Sequence, residues 1–206
     1  MAIKIHTFES KDPLVGRSHW WGAPDLPPDI PYPYVELEDG YPEPLTFICQ
    51  IRLEELADSD PENVLPHKGM LYFFAPIDYY LGELDSPLDY HTPPVVLYRP
   101  DIEQCEPLSP YILCWEDSNE SIFRPSLGIS FERVCDTPHD GNLLLANPLQ
   151  DEIREAHPGE ICLLQIDEND DWGLRFYDCG SYYIYTNAEA LQRQDFSEVK
   201  GDLFFY

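Results

Sequence analysis

The apolar residues of this chain gather into short, nearly unbroken runs separated by prolines, glycines and carboxylates. Leu45-Thr46-Phe47-Ile48-Cys49-Gln50-Ile51 and Gly69-Met70-Leu71-Tyr72-Phe73-Phe74-Ala75 have almost no polar alternation. Such runs predict strands covered on both faces. Pro94–Tyr98, Ile129–Val134, Cys162–Ile166, Gly180–Tyr185 and a closing Leu203-Phe204-Phe205-Tyr206 read as further strands, and Leu174–Tyr177 adds a short one. Helical periodicity is brief: one turn at Leu53–Ala57, a short acidic helix or turn at Asp151–Ala156, and a helix from Ala188 to Arg193 with Asn187 as its cap. Seven prolines lie between Pro24 and Pro44. Proline lacks an N–H and disfavours helix at the residue before it, so this stretch predicts an irregular wrap. Its Trp20, Trp21, Tyr32, Tyr34 and Tyr41 predict that the wrap is anchored.

Two runs return late in the chain. Phe47-Ile48-Cys49-Gln50-Ile51 is echoed by Cys162-Leu163-Leu164-Gln165-Ile166, and the Gly69 run by Gly180-Ser181-Tyr182-Tyr183-Ile184-Tyr185. Two distant copies are too few for a solenoid and predict a duplicated sheet unit about a pseudo-two-fold axis. The expected fold class is α+β and β-rich: internally duplicated units, near 44–76 and 160–186, forming a pseudo-barrel or folded mixed sheet with a few short helices. One domain over 1–206 is expected from the length.

Charge changes the picture most. Twelve basic against 39 acidic residues give a net charge of −27. Both halves of the chain share the excess, so the protein is expected to repel phosphate: no nucleic acid and no anionic membrane as partners. A basic protein is the expected partner, because an acidic surface accelerates capture of a cationic one. Simple solubility is the plainer account of the same charge. No run reaches the ~18 apolar residues of a membrane helix, and the opening Met-Ala-Ile-Lys-Ile-His has no signal-peptide core. Cys49, Cys105, Cys114, Cys135, Cys162 and Cys179 form no Cys-x-x-Cys pair, which fits a reduced, cytoplasmic setting.

The strongest runs also carry a resemblance. Trp21-Gly22-Ala23-Pro24-Asp25-Leu26-Pro27, Pro44–Leu56, Leu65-Pro66, Gly69–Phe74, Asn147-Pro148-Leu149-Gln150 and Asp178–Ile184 follow, in order, the motifs of the YwqG-like family, a bacterial domain-of-unknown-function family. The stretch from Ile77 to His139 matches none of its motifs. The resemblance implies a duplicated, β-rich pseudo-barrel with no generally accepted enzymatic activity and no agreed catalytic residues. Some members occur near toxin loci, which implies an immunity role for those members.

Candidate chemistry is sparse. Asp167, Asn169, Asp171 and Asp178 follow the spacing of a calcium loop, but Trp172 stands where that loop requires glycine, so a solvated hairpin turn is expected and no metal is assigned. His19, His67, His91, His139 and His157 all sit in loop-like sequence near prolines without metal spacing. No phosphate loop, dinucleotide fingerprint or nucleophile elbow is present, so no cofactor and no catalytic residue is assigned. The binding candidates are Trp20 and Trp21, as aromatic anchors, and Gln50 and Gln165, whose amides inside apolar runs must find partners. Backbone across the pseudo-two-fold axis is the expected partner for both glutamines. The reading is a non-catalytic binding protein, with an immunity protein against a basic toxin as its sharper form. The alternative is an enzyme or carbohydrate-binding module using Trp20, Trp21 and nearby carboxylates. A non-catalytic protein should hold no cleft in which a histidine meets an activating acid.

Overall fold

A computed structural model describes residues 1–38, 40–77, 80–81, 89–102 and 109–205. Its strands are β1 (Ala2–Phe8), β2 (His19–Trp20), β3 (Tyr34–Glu36), β4 (Pro42–Pro44), β5 (Thr46–Arg52), β6 (Met70–Ala75), β7 (Tyr80–Leu81), β8 (Val95–Arg99), β9 (Leu127–Val134), β10 (Leu143–Ala146), β11 (Glu160–Asp167), β12 (Arg175–Phe176), β13 (Gly180–Asn187) and β14 (Lys200–Phe205). The helices α1 (Leu53–Leu56), α2 (Asp151–Ala156) and α3 (Ala188–Gln192) are short. The fold is therefore β-rich, as expected. Cys105 and Tyr206, both named above, lie outside the described residues.

Ten strands make one sheet in the order β14-β13-β11-β10-β1-β9-β2-β5-β6-β8. Every neighbouring pair in it is antiparallel. The expectation of a mixed sheet is thus corrected: among the described residues, parallel pairing is confined to the small β7–β12 pair, and β3–β4 is a separate antiparallel ribbon. The sheet curls strongly into a half-barrel. Val96 of edge strand β8 and Leu203 of edge strand β14 belong to the same core as Ile3, Ile48 and Leu164. Tyr98 of β8 also packs edge-on against Phe196, 5.6 Å away and just before β14.

The absence of polar alternation has a physical cause in this curl. In β6, Leu71, Phe73 and Ala75 point into the barrel, whereas Met70, Tyr72 and Phe74 point outward beneath the proline-rich wrap, against Leu26 and Tyr32. In β13, Tyr182 and Ile184 point inward, and Tyr183 and Tyr185 lie beneath Ile153 of α2. Each such side chain contributes about 1.5–3 kcal/mol of burial free energy. Asn187 caps α3 as expected, accepting from the Ala190 amide at 2.8 Å.

Several register details recur. Gln50 stands opposite His19 of β2 and Tyr72 of β6; Gln165 stands opposite Leu143 of β10 and Tyr183 of β13. A bulge falls between Phe47 and Cys49 in one pairing and between Cys162 and Leu164 in the other. Trp21 and Leu145, two residues beyond His19 and Leu143, have φ of 54° and 51°. A methyl on Gly69 would lie 2.2 Å from the Arg99 carbonyl oxygen, and one on Gly180 would lie 2.3 Å from that of Phe204. Both glycines exist because an edge-strand carbonyl occupies the space a side chain would need.

Candidate functional site: an aromatic cleft beside a buried polar network

The wrap does more than cover β6. Tyr32 is buried, donates to the Leu45 carbonyl at 2.7 Å, and stacks on Tyr111 with ring centroids 5.5 Å apart. Tyr111 in turn donates its amide to the Pro24 carbonyl, which brings the 109–126 segment alongside the wrap. That segment doubles back: Trp115 donates to the Glu120 carbonyl, Ile122 donates to that of Leu113, and Cys114 pairs with Ser121. The β3–β4 ribbon forms a facing arm.

Between the two arms opens a cleft of about 670 Å³. Trp21, Phe47, Ile77 and Leu174 form its floor; Tyr34, Pro44 and Glu43 line one wall, and Leu113, Trp115 and Glu116 the other. The Arg124 guanidinium carbon lies 5.2 Å above the Trp21 ring, a cation–π contact. Trp115 is 62% exposed and Tyr34 47%, whereas Trp21 is 5% exposed.

Of the two tryptophans the sequence singled out, Trp21 reaches the cleft and Trp20 does not. Trp20 is fully buried, stacked on Trp172 at 5.8 Å, and that ring meets Trp21 edge-on at 5.7 Å. Trp20 is a pedestal beneath the floor.

Behind the floor lies a buried polar network. Gln50 accepts from the Asp25 amide at 2.9 Å and donates to the Asp25 carboxylate at 2.6 Å and to the Arg17 carbonyl at 2.9 Å. The same carboxylate accepts from the Gly16 amide. His19, expected in a loop, is instead buried on β2; its Nδ1 lies 2.6 Å from the Trp21 carbonyl and its Nε2 3.9 Å from Asp25. A carbonyl can only accept, so Nδ1 carries a proton. Burial lowers the pKa of this ring, opposed by the Asp25 carboxylate. His19 and Asp25 line a second, smaller cavity of about 280 Å³ that shares Gly22, Phe123 and Arg124 with the cleft.

Gln165 has simpler surroundings. It donates to the carbonyls of His139 and Gly141, and its own amide oxygen is buried without a partner among the described residues. Both glutamines thus bind backbone, but not across an axis. Each holds the loop leading into its own neighbouring strand, because that loop's carbonyls are the closest unpaired acceptors.

The calcium-like residues are dispersed in role. The Asp167 carboxylate accepts from the Gly141 amide and from the Ser181 hydroxyl, and Asn169 accepts from the Trp172 amide as the cap of a single 3₁₀ turn. Asp171 and Asp178 are exposed.

One histidine does meet paired acids. His157 lies between Glu160 (Nδ1, 2.7 Å) and Asp202 (Nε2, 3.0 Å), flat against Tyr185 at 3.9 Å, in the wall of a cavity of about 390 Å³. The expectation that no cleft would hold such a grouping is therefore corrected. Its chemistry is that of an ion cluster. Both ring nitrogens face carboxylates, Lys200 reaches the other Glu160 oxygen at 2.5 Å, and Lys200 and His157 together hold the Glu160 carboxyl below its ordinary pKa.

Among exposed thiols, Cys135 lies 3.1 Å from the Thr137 hydroxyl and 3.5 Å from His139, and these contacts lower its pKa. The carboxylates around Cys179, Glu168 first, raise that of the second. Alkylation near neutral pH, followed by mass spectrometry, is expected to modify Cys135 severalfold faster than Cys179. Equal rates would mean that the His139 contact does not persist in solution.

The described residues define a β-rich half-barrel with a lateral aromatic cleft. The family model described as a domain of unknown function (DUF1963) matches residues 18–142 and 143–202, and the chain belongs to that family. A search of curated proteins finds no match to this chain. The cleft residues that sequence reading missed include Trp115 and Arg124. The available signal was Trp115 itself, a large aromatic followed directly by Glu116 and Asp117.

Proposed function

We propose that this chain is a non-catalytic binding protein whose aromatic cleft receives a basic protein partner, and that in its sharper form it acts as an immunity-type protein covering a basic toxin. The single observation that carries this reading is the cleft: exposed Tyr34 and Trp115 face each other across a buried aromatic floor in a chain of net charge −27. Aromatic anchors inside a charged rim are the usual energetic centre of a protein interface. The immunity form and a cytoplasmic location draw on the YwqG-like resemblance, with which membership of the DUF1963 family is consistent.

The proposal includes an internal duplication. It is supported by the strand order, which reads β8-β6-β5-β2-β9 from one edge and β14-β13-β11-β10-β1 from the other, and by the shared bulges, glycine contacts and positive-φ residues. The two matched family segments also begin at corresponding strands, β2 and β10. On this reading the halves have diverged: the first carries His19 and Asp25, where the second carries Leu143 at the position of His19 and leaves the Gln165 oxygen unpaired. Polar investment is concentrated in the half that owns the cleft.

The test is capture of a basic partner from the native host, followed by association rates at rising salt. Trp115→Ala and Tyr34→Ala are each expected to weaken binding by roughly tenfold or more, as interface anchors do, and association should slow steeply as salt is raised. An acidic partner, or rates indifferent to salt, would overturn the reading. The rival enzyme or saccharide-binding reading is favoured by His19 and Asp25 beside the cleft; it requires that a sugar, and not a basic chain, saturate the cleft.

A further inference from the structure

Resting on the basic-partner reading, we infer that the cleft's ligand is an extended, proline-rich segment anchored by arginine. The first support is what these rings already accept within the fold. Trp21 carries the guanidinium of Arg124 on its face, and Pro44 lines the cleft beside Tyr34. An arginine of the chain itself thus already sits on an aromatic face of the cleft.

The second support is geometric. A polyproline II segment has no internal hydrogen bonds and loses little conformational freedom on docking, so grooves that bind it need flat aromatic faces and a few hydroxyl or indole donors for its carbonyls. Tyr34 and Trp115 supply the faces, 47% and 62% exposed. Tyr34 carries a hydroxyl and Trp115 an indole N–H, the two kinds of donor such a groove uses.

Charge complementarity is the third support. The two arms carry Glu36, Glu38, Glu43, Glu116, Asp117 and Glu120, with Arg124 as the basic residue between them. Arginine suits this setting better than lysine, because its planar, weakly hydrated guanidinium stacks on aromatic rings while pairing with carboxylates.

The experiment uses the full chain and a synthetic peptide of repeated Pro-Pro-Arg, followed by tryptophan fluorescence and calorimetry. Three companion peptides replace arginine by lysine, proline by alanine, or arginine by glutamate. The Pro-Pro-Arg peptide is expected to bind; the lysine and alanine versions should each bind about tenfold more weakly, and the glutamate version not measurably. Trp115→Ala and Glu116→Lys, both at exposed positions, should each weaken the Pro-Pro-Arg complex by about tenfold while leaving circular dichroism unchanged. If the alanine-for-proline peptide binds as well as the parent and still responds to salt, the inference fails and the basic-partner reading survives. If no basic peptide binds, or the glutamate peptide binds best, both fail. Binding that is untouched by either substitution would place the ligand elsewhere and overturn the inference.

Discussion

Gln50→Leu is expected to remove roughly 4–6 kcal/mol of stability, and Gln165→Leu only about 1–3, although the two glutamines hold corresponding register positions. The difference follows from counting the buried groups each amide serves. Leucine at 50 strips the Asp25 amide of its acceptor, and the Asp25 carboxylate and the Arg17 carbonyl of a donor. An orphaned buried group costs about 1–3 kcal/mol and a charged one more. Asp25 is 1% exposed, and the Gly16 amide would be the carboxylate's remaining donor. Leucine at 165 strands two carbonyls, those of His139 and Gly141, and relieves an amide oxygen that has no partner. Urea denaturation of both variants reads the difference as a shift in midpoint at constant slope. Total stabilities of single domains are about 5–15 kcal/mol, so the Gln50 variant should stand close to unfolding at room temperature. Equal losses in the two variants would show that Asp25 is not held as described.

Trp20→Ala is the second large effect, expected at about 3–5 kcal/mol, the usual range for truncating a buried tryptophan. The indole is fully buried, stacks on Trp172 and meets Trp21 edge-on at 6.0 Å, so the cavity left by alanine would open directly beneath the cleft floor. Trp20→Phe should cost much less, roughly 1–2 kcal/mol, because the Trp20 Nε1 has no acceptor among the described residues and no hydrogen bond is lost. Thermal melts of the two variants give the comparison. A phenylalanine variant as damaged as the alanine one would mean that the indole nitrogen does have a partner in solution. If Trp20→Ala keeps full stability, the pedestal role assigned to this ring is wrong.

What the sequence determined was the covalent rhythm of the fold. Unbroken apolar runs placed β5, β6, β11 and β13 because a strand covered on both faces has no solvent side to mark with polar residues, and shorter or mixed runs marked β8, β9 and β14. Closely spaced prolines placed the wrap, since those residues can join neither a helix nor a central ladder. Asn187 marked the start of α3, because its side chain has a local use there. Each of these signals is settled within a few residues of chain. The strands that escaped notice are those whose pairing is decided elsewhere. β1 carries Lys4 and His6 yet runs between β9 and β10 in the middle of the sheet, and β2 is two residues long, held by β5 and β9 on its flanks. The cleft divides in the same way. Trp21 and Tyr34 could be named from the aromatic opening, but Trp115 and Arg124 come from a segment without recognisable motifs, carried to the wrap by the Tyr32–Tyr111 stack and one amide bond to Pro24. Whether Trp20 or Trp21 lined the cleft was likewise undecidable from their adjacency. Trp21 lies just past the two-residue strand β2 with φ of 54°, and both rings pack on Trp172, so only the tertiary packing determines which of them reaches the cleft.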